Sequence, residues 1–207
     1  HDLLSNYQDS YKTIADGENT NHKAQVFSLK QELKLFECFN YILLIQNEEY
    51  QAIQKIIGSK AVMVPHPILP SKNKNVKAVN NICFIAADTA PNADAILWFL
   101  RNVWTKIIIK YPNLKLNIYG RIFYILHKFN SIAMERYPWL MEWQNEYIYQ
   151  DKHSLFENVT FHGFVLDTDS IYQDNDIAIN PVRFGSGLKI KNIEALGHGI
   201  PLITTSH

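Results

Sequence analysis

Three observations predict an α/β protein. Short apolar runs recur along the chain and end at Gly or Pro. Longer segments between them carry apolar residues at helical spacing. Over residues 176–205 an apolar run, a Gly-Ser-Gly turn, a helical stretch and a second apolar run follow in order, about the size of one βαβ crossover.

Taken in order, residues 1–20 are polar and read as loop or short helix. Over 24–39, Val26, Leu29, Leu33 and Phe36 recur at spacings of three and four, which places one buried stripe on an amphipathic helix. Residues 41–45 read as a strand. Asn47 reads as the cap of a helix over 48–57 that Gly58 ends. A second short strand, 61–64, closes at Pro65 and Pro67, with His66 a structural residue in a hinge. Residues 71–81 are rich in Lys and Asn and poor in apolar mass. They read as an interdomain linker, or else as a basic patch contacting phosphate. The linker separates a first domain, 1–70, from a second, 82–207.

The second domain opens with a buried strand at 82–87 and a loop at 88–92, with Asn92 as a helix cap. Ala95, Ile96, Phe99, Val103 and Ile107 mark a long helix ending near Tyr111-Pro112. Strand 114–119 follows, then Gly120. Residues 121–158 are rich in aromatics. They read either as helices packed on the sheet or as a surface for an acceptor or a membrane interface. Strand 159–165 carries Gly163 and His162, whose ring faces either the core or a pocket. A short helix spans 167–172.

In the 176–205 stretch the strand ends at Pro181, and Gly185, Ser186 and Gly187 turn the chain into a helix through Leu196. Gly197, Gly199 and Pro201 stop that helix, with His198 a dipole partner or cap contact at its end. A loop placed there lies at the carboxyl edge of a parallel sheet, where ligands bind. Glycines let backbone N–H groups approach an anion, and a helix N-terminus adds partial positive charge. Arg183 precedes the turn, and Lys189 and Lys191 fall in the first helical turn. Cations there oppose the helix dipole by roughly 0.3–1 kcal/mol each, a cost that a bound phosphate reverses. Both ammonium groups are therefore expected to face one diphosphate socket. Glu194, a turn beyond Lys191, can pair with it or accept from sugar hydroxyls. The competing reading is a flexible Gly-rich loop before a solvated Lys/Glu helix.

Composition narrows the field. Twenty basic residues balance twenty acidic ones, so no global field invites nucleic acid. Cys38 and Cys83 form no metal-ligand spacing and fit a reducing, cytoplasmic setting. No apolar run approaches the roughly 20 residues of a membrane span. No signal peptide, dinucleotide G-x-G-x-x-G or nucleophile triad is visible.

Four blocks, PNADAILWFL, LKLNIYG, NVTFHGFV and INPVRFGSGLKIKNIEALGHGIPLITT, resemble in order the donor-binding domain of the group 1 glycosyltransferases. That family has the GT-B fold, two facing Rossmann-like domains. His1-Asp2, YILLIQNEEYQAI and AVMVPHP resemble the end of its acceptor domain. The resemblance implies that Gly185, Ser186 and Gly187 set backbone N–H groups against the donor diphosphate. Lys189 and Lys191 would neutralise it, with help from Arg183. Glu194 would hold ribose or sugar hydroxyls, and His1 would approach the transferred sugar. Gly163, Phe164 and Val165 would lie near the nucleobase. The resemblance further implies retention of configuration and no metal or other cofactor. The partners would be a nucleotide sugar and a glycan, lipid or protein acceptor, with peripheral contact at the inner face of a membrane.

Many family members carry two glutamates eight apart, whereas here Ser186 stands eight before Glu194. The chain follows the longer GSG-x-K-x-K variant instead. It opens on His1 rather than Met, and the resemblance implies an acceptor half before it and helices after it. The chain is therefore expected to be incomplete at both ends and inactive alone. The alternatives are a non-catalytic GT-B module that binds nucleotide sugar or a partner, and a GT-B epimerase or phosphorylase.

Overall fold

The computed structural model describes residues 28–68, 70, 78–122, 156–185 and 187–206. The chain divides into two compact units, residues 1–68 with 184–190, and residues 69–183 with 191–207. Both are α/β, and every strand pair among the described residues is parallel.

In the first unit, α1 (Leu29–Glu37) starts at Ser28, whose side chain and that of Gln31 form a reciprocal capping box. Phe36 is buried and Leu33 half-buried, as the stripe requires, but Leu29 is 40% exposed and lies outside the core cluster. Val26 lies outside the described residues. Strands β1 (Ile42–Leu44) and β2 (Ala61–Met63) pair in parallel through Ile42↔Ala61 and Leu44↔Met63. Between them α2 (Asn47–Ile57) lays Ile53 onto Leu44, Ile42 and Phe36. Asn47 is not the cap. Gln46 takes the extended cap backbone, so Asn47 is already helical. Gly58 does end α2, at φ +60.

The second unit is a five-stranded sheet in the order β5-β4-β3-β6-β7. Its strands are β3 (Asn81–Ile85), β4 (Lys115–Tyr119), β5 (Val159–Gly163), β6 (Ile177–Asn180) and β7 (Leu202–Thr204). The expected linker thus yields its last residue, Asn81, to β3. Asp176 accepts from the backbone N–H groups of Asn80 and Asn81, both at 3.0 Å, and anchors the start of that strand. Alternation along β3 sends Ile82 and Phe84 to one face and Cys83 and Ile85 to the other. Apolar residues cover both faces, which is why the strands read as continuous apolar runs.

One face is covered by a long helical run. It comprises α3 (Ala90–Phe99), a π-helical turn (Leu100–Trp104) and α4 (Thr105–Lys110), which bury Ala93, Ile96, Leu100, Trp104 and Ile108. The other face takes Ile171 and Tyr172 from α5 (Thr168–Asp174) and Ala195 from α6 (Ile190–Gly197). Asn92 does not cap α3 either. Thr89 has the extended cap backbone, and Pro91 and Asn92 belong to the first turn. The aromatic-rich stretch lies outside the described residues between 123 and 155.

Chain order reverses at β3: β4 lies on one side and β6 on the other. The carboxyl ends of β3 and β6 therefore flank a topological switch point, the usual ligand crevice of such sheets.

Candidate functional site

β3 hands over to residues 86–89 and α3, and β6 hands over to Pro181, Val182 and Arg183, so both segments open at the carboxyl edge of the second unit. Beyond Arg183 the loop backbone is left-handed at Gly185 (φ 112) and Gly187 (φ 94), conformations that favour glycine. Lys189 precedes α6 instead of lying within it. Its ammonium donates to the carbonyls of Gly185 and Gly187, each at 3.3 Å, and staples the bend to itself. Ser186 and His1 lie outside the described residues.

Lys191 is the second residue of α6. Its Nζ donates to Asn92 Oδ1 at 2.8 Å and sits 4.7 Å from the centroid of the Phe84 ring. Glu194 does not pair with it. One carboxylate oxygen of Glu194 accepts from the Tyr172 hydroxyl at 3.2 Å, and the other has no partner among the described residues. Arg183 turns to Asp94, with Nε and an Nη donating at 3.0 and 2.6 Å to its two oxygens, and lies over Trp98. Lys191 and Arg183 each reach an acceptor on α3, Asn92 and Asp94 respectively, and Lys189 reaches the carbonyls of its own loop. The cavity that Lys191 borders with Cys83, Ile85, Tyr172 and Leu202 has room for about one water, not a diphosphate.

Arg183 is therefore a strut between the end of β6 and α3. Replacing it with Gln should change stability by less than about 1 kcal/mol, since the pair is partly exposed. Nucleotide affinity should stay within about twofold, measured by calorimetry.

Gly163 ends β5 at φ +70, and its carbonyl accepts from the Gly120 N–H at 2.6 Å. Phe164 is 62% exposed, and Val165 packs against the Tyr119 and Tyr172 cluster. His162 is exposed. Its ring stacks on Tyr119 with centroids 4.4 Å apart, and its Nε2 meets Asn117 Oδ1 at 2.9 Å. His198 follows the end of α6, where its backbone N–H donates to the Glu194 carbonyl at 2.9 Å, and its ring stacks on Tyr172 and pairs with Asp169 at 3.2 Å.

Burial, reinforced by the Glu194 charge, raises the Tyr172 phenol well above its ordinary value of 10.0; burial also raises Tyr119. A raised phenol means the fold favours the neutral form, so this stability is complete below about pH 10 and is lost as pH climbs past it. Tyr172→Phe should flatten the alkaline arm of a denaturation series between about pH 9.5 and 11.

Sequence reading missed Asn92 as an acceptor, Tyr172 as the partner of Glu194, and Asp94. These partners sit 99, 22 and 89 positions from the residues they hold, so no local spacing announces them.

A doubly covered parallel sheet with basic residues at its carboxyl edge defines a Rossmann-like α/β layer. Residues 79–207, more than half of the chain, match the family described as Glycosyl transferases group 1, and the chain belongs to that family. Its α/β architecture is of the GT-B glycosyltransferase type. An uncharacterized 44.6 kDa protein in cps region of Klebsiella pneumoniae is 25% identical across 95% of this chain and 48% of its own length. The pneumococcal O-GlcNAc transferase GtfA, solved with UDP and GlcNAc, superposes at a TM-score of 0.56 with 15% identity, over 91% of this chain and 35% of GtfA. Staphylococcus aureus TarM, a mutant solved in complex with UDP among other ligands, gives a TM-score of 0.57 at 11% identity, over 89% of this chain and 34% of TarM. The chain spans about half the length of the curated relative it matches. Among the described residues no helix is long and apolar enough to cross a membrane.

Proposed function

We propose that this chain supplies the donor side of a glycosyltransferase that moves a sugar from a nucleoside-diphosphate sugar to a glycan, lipid or protein acceptor. Residues 82–207 form the donor-binding domain in this reading, and 1–70 the end of the acceptor domain. Breaking the anomeric C–O bond builds negative charge on the departing diphosphate. Fixed dipoles and ammonium groups stabilise that charge where it develops. Lys191 is the principal cation. Gly185, Ser186, Gly187 and Lys189 are the further donor-binding residues in this reading, with no metal required. Glu194 receives ribose or sugar hydroxyls on the oxygen that Tyr172 leaves open, while Gly163, Phe164 and Val165 border the base. His1 approaches the sugar, and configuration is retained. The membrane contact rests on the aromatic content of residues 121–158 alone.

The observation that carries this reading is the presence on one short helix of a held ammonium, Lys191, and a carboxylate, Glu194, one of whose oxygens has no partner among the described residues. Calorimetric titration of the folded chain with UDP, GDP and ADP tests it, with saturable binding of one of the three expected. UDP comes first because GtfA and TarM were solved with it. Tyr172→Phe should weaken that binding about threefold, since one neutral-to-charged hydrogen bond orients Glu194.

A further inference from the structure

Asn92 sits in the first turn of α3, and its side-chain amide is engaged on both sides. Its Nδ2 donates to the Ala87 carbonyl at 3.1 Å and to Thr89 Oγ1 at 3.0 Å. A carbonyl can only accept, so the amide has one sensible orientation, with Oδ1 turned to the Lys191 ammonium at 2.8 Å. On another side of that ammonium lies the ring of Phe84, which is fully buried. Three segments of the second unit thus meet at one charge: β3 through Phe84, the loop and first turn of α3 through Asn92, and α6 through Lys191 itself.

We infer that Asn92 is a positioning residue that holds the Lys191 ammonium in place for the donor diphosphate. The inference rests on the reading of Lys191 as a diphosphate ligand. A lysine stem has rotamer freedom to lose, and fixing part of it before the ligand arrives removes that part of the cost from binding. A neutral acceptor suits the task, because an amide oxygen orients the ammonium and leaves its charge intact. A carboxylate at the same place would cancel that charge and repel the incoming phosphates. Asn92 is itself held by the Ala87 carbonyl and the Thr89 hydroxyl, so the segment after β3 sets its position.

A double-mutant cycle tests this by calorimetry with whichever of UDP, GDP or ADP the wild type binds, and with the matching nucleoside. Asn92→Ala should weaken diphosphate binding about threefold to tenfold, the scale of one ordinary hydrogen bond because the residue acts through Lys191, and leave nucleoside affinity unchanged. On a Lys191→Met background the same replacement should change nothing further, since contacting residues couple. Asn92→Asp should cost more than Asn92→Ala. If Asn92→Ala does not fold, as its melting curve will tell, Asn92→Ser enters the cycle in its place. Equal losses in both backgrounds, or losses matched for the nucleoside, would make Asn92 merely structural and overturn the inference. So would unchanged affinity in Asn92→Ala while Lys191→Met weakens binding, which would leave the reading of Lys191 standing. Silence of the wild type toward all three nucleotides, or wild-type affinity in Lys191→Met, overturns both.

Discussion

Replacing Lys191 with methionine is expected to weaken nucleoside-diphosphate binding by about thirtyfold, or roughly 2 kcal/mol, the range of a charge-assisted hydrogen bond. Methionine keeps an unbranched apolar stem against Phe84 while removing the charge. The melting temperature should therefore move little, which separates lost binding from lost fold. Lys189→Met should cost less in direct contact but should loosen the bend, because its ammonium bridges two loop carbonyls. A methionine at 191 that bound the diphosphate as tightly as the wild type would remove the main cation from the account.

The largest effect on stability is expected at Gly120. It adopts φ +98, and a Cβ there would stand 2.2 Å from the Ala86 carbonyl oxygen, closer than real atoms allow. That carbonyl is itself paired, accepting from the Ile122 N–H at 3.2 Å. An added methyl must therefore push apart the carboxyl ends of β3 and β4, and Gly120→Ala should cost about 2–4 kcal/mol. For a domain of this size that lowers the melting temperature by roughly 5–15 °C. Gly58→Ala is the control, because φ is +60 there but nothing lies within 4 Å. It should carry the backbone strain alone, about 1–3 kcal/mol at φ +60 and ψ −129. Differential scanning calorimetry of the two variants compares clash plus strain with strain; equal losses would contradict the tight packing of β3 against β4.

The class of the fold was legible because parallel strands buried on both faces leave apolar runs that sequence shows directly. Ile82–Phe84 and Ile177–Ile179 are such runs, and both lie in the central strands. Helix ends were less legible. Asn47 and Asn92 have cap chemistry, but the extended backbone fell on Gln46 and Thr89, and cap preference alone does not decide which residue takes it. The glycine bend and the two lysines were visible as a pattern, yet where their ammonium groups turn was not. Lys191 bonds a residue 99 positions away and Arg183 one 89 away, so their partners exist only once β3 and β6 lie side by side. Glu194 illustrates the same limit. Helical spacing offered it Lys191, whereas packing of α5 offered the Tyr172 hydroxyl, and packing won.

The central claim is that charge fixed at the start of α6 meets the second phosphate of a nucleotide. The most direct measurement compares the calorimetric affinities of the wild type for a nucleoside diphosphate and for the monophosphate of the same base. The diphosphate should bind at least about tenfold tighter, and the gap should close in Lys191→Met. Equal affinities for the two nucleotides, or a gap that survives intact without the lysine, would contradict it.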